Sequence, residues 1–313
     1  MNPSVSVIGT IFVDCKGFPH QAYQANGTNL GQISFVHGGV GRNVAENLAD
    51  LGLDTALVST VDTSGIGKEV TARLQQKGVR TAYLGETASG GMGLWLAILD
   101  ENGNLAGSIS QMPELEHFER LVAEKGEDMV RASDHMILEI DLNAAISRDI
   151  LTFARKHGKP VYGIPGNLSV ILPHMEMLDD LQCFICNDVE AEKLLQTPFT
   201  GLEPAACLEP LRAFVDARPL RSMVVTLGAN GSVYYDSATG MSGHQPVFPV
   251  RMVDSSGAGD AFISGTVTGL ILGLPLEKAV IAGTKVAGWT IESPESNCPD
   301  LKEKAAEDGL FGG

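Results

Sequence analysis

The chain has 313 residues, 44% of them apolar, with 22 basic against 38 acidic side chains and a formal charge of −16. Such a length and apolar content suit one large α/β domain with an ordinary soluble core. The acidic excess disfavours nucleic acid or an anionic membrane as partner. The long apolar stretch at 261–274 is broken by Gly265 and Gly269 and is too short to cross a bilayer. The first residues lack the basic and apolar regions of an export signal and read as a first strand. Without such a signal, five scattered cysteines fit free thiols in a reducing cytoplasm.

In chain order, residues 5–13 read as a buried strand ending near Asp14, and 20–37 as an irregular loop with a short strand at 32–36. A glycine-rich turn at 37–43 opens a helix over 43–51, stopped by Gly52. A strand at 55–61 and a helix at 66–77, closed by Gly78, follow. Residues 92–99 and 105–112 flank Asp100-Glu-Asn-Gly-Asn104 as a hairpin. Thereafter strands at 134–140, 160–164, 182–186, 222–227, 232–236 and 246–253 alternate with helices. The helical patterns cover 115–132, 144–157, 188–196, 208–217, 258–273 and 276–292. This alternation predicts a mostly parallel sheet with helices on both faces. Segments 11–37 and 90–112 break the rhythm and predict a small β-sheet lid on a single domain spanning 1–313. A half-open lid exposes apolar residues, and pairing two lids in a homodimer would bury them.

Four constellations carry candidate chemistry. Asp14 follows a buried strand, where open α/β sheets place ligands, and its carboxylate can accept from vicinal hydroxyls; a solvated loop aspartate reads the same way. Gly38-Gly39-Val40-Gly41-Arg42-Asn43 permits close backbone approach beside an amide that both donates and accepts. It fails the dinucleotide fingerprint, because Val44 stands where the third glycine belongs, which argues against an NAD-dependent oxidoreductase. Asn187-Asp188-Val189-Glu190 puts Asn187 and Glu190 on one helix face, suited to a hydrated Mg²⁺ and equally to a capping box. Thr226-Leu-Gly228-Ala-Asn-Gly231 can wrap nucleotide phosphates or close a hairpin.

At residues 254–260 (Asp-Ser-Ser-Gly-Ala-Gly-Asp), Gly257, Ala258 and Gly259 leave backbone N–H groups bare at a helix start, an anion site. Asp260 would repel an anion there, so it is either a helix cap or a general base. Cys183-Phe-Ile-Cys186 has the spacing of half a zinc site but no second pair, and fits a buried strand.

Taken together and in this order, these segments resemble the ribokinase-like (PfkB) family of sugar and nucleoside kinases, from Gly9 to about Asp300. Residues 14–17, 38–48 and the tail 293–301, interrupted at Cys298, look most like the pseudouridine kinases of that family. The resemblance implies a three-layer α/β/α fold with a β lid and ATP-dependent, Mg²⁺-dependent transfer to the 5′-hydroxyl of pseudouridine. Kinases of ribose, adenosine or a ketohexose, or a non-catalytic binding protein on the same fold, are the alternatives. It implies Asp260 as base, Gly257, Ala258 and Gly259 as anion hole, and Asp14, Gly38, Gly39 and Asn43 around the sugar. Asn187 and Glu190 would organise Mg²⁺, with Asn187, Thr226, Gly228 and Gly231 at the nucleotide. Asp254 and Ser256 match a potassium site, and Lys16, Met92 and Trp95 fall on the lid, where they could contact a base or equally serve lid packing or a dimer seam. The chain departs from the family at Ile164-Pro165, Glu139-Ile-Asp141 and the turn Asp62-Thr-Ser-Gly-Ile-Gly67.

Overall fold

A computed structural model describes residues 2–311 except Gly103 and Asn167. In chain order the strands are β1 Ser4–Ile8, β2 Phe12–Pro19, β3 Gly31–Gly38, β4 Asp54–Asp62, β5 Leu84–Thr87, β6 Gly93–Leu99 and β7 Leu105–Gln111. They continue with β8 His135–Glu139, β9 Val161–Ile164, β10 Cys183–Asn187, β11 Ser222–Thr226, β12 Ser232–Asp236 and β13 Met241–Gln245. The helices are α1 Val40–Asp50, α2 Gly65–Gln76, α3 Leu115–Arg131, α4 Ala144–His157, α5 Asp188–Leu195, α6 Pro204–Asp216, α7 Ala258–Ile271, α8 Leu276–Ile291 and α9 Leu301–Glu307.

The large sheet runs β13-β12-β11-β10-β9-β8-β1-β4-β5. It is parallel from β5 to β11, and β12 and β13 add antiparallel at one edge. Its central strands are apolar on both faces because helices cover both. One core gathers residues of α3, α4, α5 and α6, and the other residues of α1, α2, α7 and α8. Cys183 belongs to the second core and Cys186 to the first, so the two thiols point to opposite faces of β10 and cannot share a metal.

The second sheet, β3-β2-β6-β7, obeys period two. Asp14 stands beside Val36 and Trp95, and Lys16 beside Ser34 and Ala97. The alternate positions carry Cys15, Phe35 and Leu96 in one row, and Gly17, Ile33 and Ile98 in the next. On that face Ile33 and Ile109 are each 69% exposed and Phe35 57%, a contiguous apolar surface.

Several sequence-based boundaries shift. The strand expected over 5–13 breaks at Gly9, where α1 crosses so closely that a Cβ on Gly9 would lie 2.7 Å from the Gly41 Cα. Its second half becomes β2 of the lid. Residues 246–253 are not a strand: Pro246 and Pro249 lack N–H groups for a ladder, and the segment turns away along α8, with Val253 N donating to Ile291 O at 2.7 Å. The edge strand there is β13, just before it. Helix α6 begins at Pro204, a residue suited to the first helical position, rather than at 208. Helix α1 begins at Val40 with Gly39 as N-cap, so Asn43 lies one turn into it. Helix α9 was not foreseen. In the expected hairpin, Asp100 Oδ1 accepts from Asn102 N and Asn104 N, while Gly103 of that turn lies outside the described residues.

Candidate active site

Helix α7 opens on small residues, Gly257, Ala258 and Gly259, ahead of Asp260, and at Gly257 packing demands it. Gly257 is its N-cap at φ 75°, and a Cβ there would fall 1.9 Å from the Ser296 carbonyl oxygen. Gly259 faces open space. The leading N–H groups of a helix have no intrahelical partner and stand at the positive end of its dipole, so this turn can receive an anion.

Asp260 sits in that turn and does not cap it. Its Oδ2 accepts from Asn43 Nδ2 at 2.7 Å, joining α7 to α1. Burial raises the carboxyl to about 6, against the hydrogen bond from Asn43 and the charge of Arg42, which pull it down.

Around Asn43 the backbone is close-packed. Gly39 has φ 92°, and a Cβ on it would lie 2.6 Å from both Phe12 N and Thr10 O. A Cβ on Gly38 would stand 3.6 Å from each carboxylate oxygen of Asp14, so the lid aspartate hangs over the glycine turn. Burial raises the Asp14 carboxyl, while Lys16 and Arg42 lower it. Lys16 also helps hold Asp254 ionised, after the dominant hydrogen bond from Ser256 N to Asp254 Oδ1 at 2.8 Å. The polar lid face therefore looks toward the head of α7. Trp95 is half-buried on that face. Met92 is buried in the core with Ile11 and Val44, so its part is packing rather than contact with a base.

A second group lies along the same C-terminal edge of the sheet. Asn187 ends β10 and pairs in register with Thr226 at the end of β11. Asn187 Oδ1 accepts from Glu190 N at 2.9 Å while Glu190 Oε2 accepts from Asn187 N at 2.8 Å, a complete capping box. Burial raises the Glu190 carboxyl, and the negative charge of Asp141 adds to this. Gly228 opens a 3₁₀ turn to Asn230, and Gly231, at φ 85°, is required because a Cβ would meet Gln245 O at 2.0 Å. The β11–β12 loop is thus a tight hairpin, beginning at the same edge of the sheet as Asn187.

The departures from the family pattern have structural roles. Glu139 ends β8 and accepts from Thr10 N at 2.7 Å and Thr10 Oγ1 at 3.0 Å. Burial pushes its carboxyl up to about 7, with Asp260 and Asp141 adding to the rise. Asp141 accepts backbone N–H groups of Gly166, Leu168, Val170 and Ile171, and so anchors the loop after β9. Ile164 is buried in the core. Asp62 Oδ1 accepts from Gly91 N at 2.6 Å, tying β4 to the segment that leads into β6.

Sequence reading missed the group behind Asn43. Arg42 is buried and donates to His37 O and Asn43 Oδ1; its Nη1 lies 3.0 Å from Glu46 Oε1. Ser296 and Asn297 arrive from the tail, Asn297 Nδ2 donating to Asn43 O at 2.9 Å. The i,i+4 spacing of Arg42 and Glu46 was the available signal; the contacts from the tail had none.

Fold and site together define a ribokinase-like α/β kinase scaffold. The structure superposes on Arabidopsis thaliana ribokinase complexed with ribose and ATP at a TM-score of 0.83, with 20% identity over the full length of both chains. A carbohydrate kinase from Agrobacterium tumefaciens gives 0.80 at 23% identity, covering 98% and 97%. Residues 2–303 match the pfkB family of carbohydrate kinases. Guanosine-inosine kinase of Exiguobacterium acetylicum is 35% identical over 292 residues, 93% of this chain and 95% of that protein. Pseudouridine kinase of Escherichia coli is 27% identical, covering 95% and 93%. The chain belongs to the pfkB family, and it is a phosphotransferase with an alcohol acceptor.

Proposed function

We propose that the protein transfers the γ-phosphoryl group of ATP to the 5′-hydroxyl of a nucleoside, with guanosine or inosine as the leading acceptor. The observation that carries the chemistry is Asp260, held by Asn43 at the mouth of the bare N-terminal turn of α7. The greater likeness to the guanosine-inosine kinase ranks a purine nucleoside ahead of pseudouridine. Pseudouridine stays the second reading, favoured by the 14–17 and 38–48 segments and by 27% identity along nearly the whole chain.

In this reading Asp14, Gly38, Gly39 and Asn43 receive the ribose hydroxyls, and Lys16 and Trp95 stand near the base. Asp260 takes the proton of the 5′-hydroxyl as its oxygen bonds to the γ-phosphorus. The bond from that phosphorus to ADP breaks in line, while the N–H groups of Gly257, Ala258 and Gly259 stabilise the charge on the passing phosphoryl group. Thr226, Gly228, Gly231 and Asn187 border the nucleotide. Glu190 has one oxygen in the capping box and one to spare, and among the described residues no three metal-type side chains gather. This donor set fits Mg²⁺ carried mainly by phosphate and water, with Asn187 and Glu190 as its protein contacts. When bound, it neutralises phosphate charge. Asp254 and Ser256 are our candidates for a potassium contact. The cytoplasm, with its ATP and reduced thiols, is the proposed compartment. A second copy is the proposed partner of the outer lid face.

Release of ADP from Mg-ATP, measured with guanosine, inosine, pseudouridine, adenosine, ribose and fructose, tests the reading. Guanosine or inosine should give the highest kcat/KM. Preference for free ribose or fructose, or no turnover with any nucleoside, overturns it.

A further inference from the structure

A primary amide presents oxygen and NH₂ with almost the same shape, so something must decide which of them Asn43 turns toward Asp260. The decision lies with Arg42. A guanidinium has five N–H donors and no acceptor. Nη2 of Arg42 donates to Asn43 Oδ1, so the amide oxygen must face the guanidinium and the NH₂ must face Asp260. The reverse orientation would set donor against donor at Arg42 and acceptor against carboxylate at Asp260.

Arg42 is itself over-determined. It is 1% exposed, and its guanidinium also donates to the His37 carbonyl and, at 3.1 Å, to Ser296 Oγ. The Ser296 hydroxyl in turn donates to the same His37 carbonyl at 3.1 Å, closing a ring under the glycine turn. Glu46, 0% exposed, meets the guanidinium as an ion pair at 3.0 Å, and Arg73 reaches Glu46 from α2 at 3.3 Å. A buried arginine of this kind is costly unless its partners are in place. Here Glu46 supplies the counter-charge on the Nη1 side, and Nη2 faces the His37 carbonyl, Ser296 and the amide of Asn43.

We propose that Arg42 is a positioning residue: it locks the amide of Asn43 so that its NH₂ is aimed at Asp260, and through it holds that carboxylate in its proton-accepting form. The inference rests on the reading of Asp260 as the base. The charged groups facing Asp260 are Arg42 from α1 and Glu139 from β8; Asp14 and Lys16 approach the same turn from the lid. Arg42 and Asn43 favour the ionised form of Asp260, and the Asp260 charge in turn raises the Glu139 carboxyl.

The test is the pH profile of kcat/KM for the acceptor nucleoside between pH 5 and 9.5, in Arg42→Lys and in the double variant Arg42→Met with Glu46→Leu. The double variant removes both buried charges, so it stays foldable where Arg42→Met alone would strand Glu46. In the parent protein activity should rise through about pH 6, the value to which burial brings Asp260. In the double variant the rise should move up by about one pH unit, giving a roughly tenfold loss at pH 5 and a roughly fivefold loss at pH 6 that closes to within a few-fold at pH 9. Arg42→Lys, with its charge kept and its planar fork lost, should fall between. KM for ATP should not change. A loss of equal size at every pH overturns the proposal, because general loosening of the site scales the rate without moving its titration. Asp260→Asn separates the two layers. If it retains parental turnover, the assignment of the base fails; if it is dead and the Arg42 profiles stay unshifted, only the positioning role fails.

Discussion

Asn43 and Asp260, 217 positions apart in the chain, meet through one 2.7 Å hydrogen bond that ties helix α1 to helix α7. The contact sets a carboxylate at the head of a helix without letting it cap that helix. A cap would have turned Asp260 toward its own backbone; the amide of Asn43 holds it instead, as the proposed base requires.

Asp260→Asn should therefore lower kcat by about 10²- to 10⁴-fold, the usual contribution of a general base, and leave the nucleoside dissociation constant within a few-fold. In the parent protein the base must be ionised, so the rate should rise with pH through about 6 and level off above 7. Steady-state kinetics paired with calorimetric binding checks both halves. A variant that turns over at the parental rate removes Asp260 from the reaction.

The glycine turns and Asp260 were legible in the sequence because they combine residues that are individually poor choices. Gly257 at φ 75° and Gly39 at φ 92° occupy backbone states that other residues avoid. The alternation of strands and helices was legible for the same reason that both faces of the sheet are buried. The turning of 246–253 away from the sheet was not, since Val247, Phe248, Val250, Met252 and Val253 read as strand while the prolines decide the pairing. Arg42 was hidden by its own chemistry: an arginine in a helix is ordinarily a surface residue, and only the arrival of Ser296 and Glu46 makes it an interior one. The capping box at Asn187 was offered by the spacing alone, as was a metal contact, and the two are not exclusive.

Their separation is experimental. Asn187→Ala removes the side-chain acceptor at the start of α5 and should cost about 0.5–2 kcal/mol of stability, seen as a lower melting temperature. Glu190→Gln keeps an oxygen for the Asn187 N–H and should leave the melting temperature nearly unchanged, yet raise the Mg²⁺ concentration needed for half-maximal rate several-fold. An unaltered Mg²⁺ requirement would leave Glu190 as a cap and nothing more.

The outer lid face makes a separate demand. Leu96 pairs in register with Ile109, next to Phe35 and Ile33, and all four are exposed in a single chain. A sheet face of that composition is ordinarily covered. Ile109→Glu should convert a dimer into a monomer in sedimentation velocity runs at micromolar concentration, without lowering the melting temperature of the monomer. A parent chain that sediments as a monomer at every concentration sinks the pairing.

Glu139 supplies the last prediction, one about stability rather than rate. Its carboxyl is buried and pushed up from 4.5 to about 7, with burial the largest cause and Thr10 pulling the other way. The folded state thus retains a proton that the unfolded chain releases. Its contribution is complete below about pH 4.5 and is lost as pH rises to about 7, because in that window the unfolded chain binds fewer protons. The size is roughly 1–3 kcal/mol for a shift of this order. Glu139→Gln keeps acceptors for Thr10 N and Oγ1 and carries no charge to lose. It should melt several degrees above the parent at pH 8, and the gap should close by pH 5. A gap that stays constant from pH 5 to 8 would mean that packing, not ionisation of Glu139, separates the two proteins.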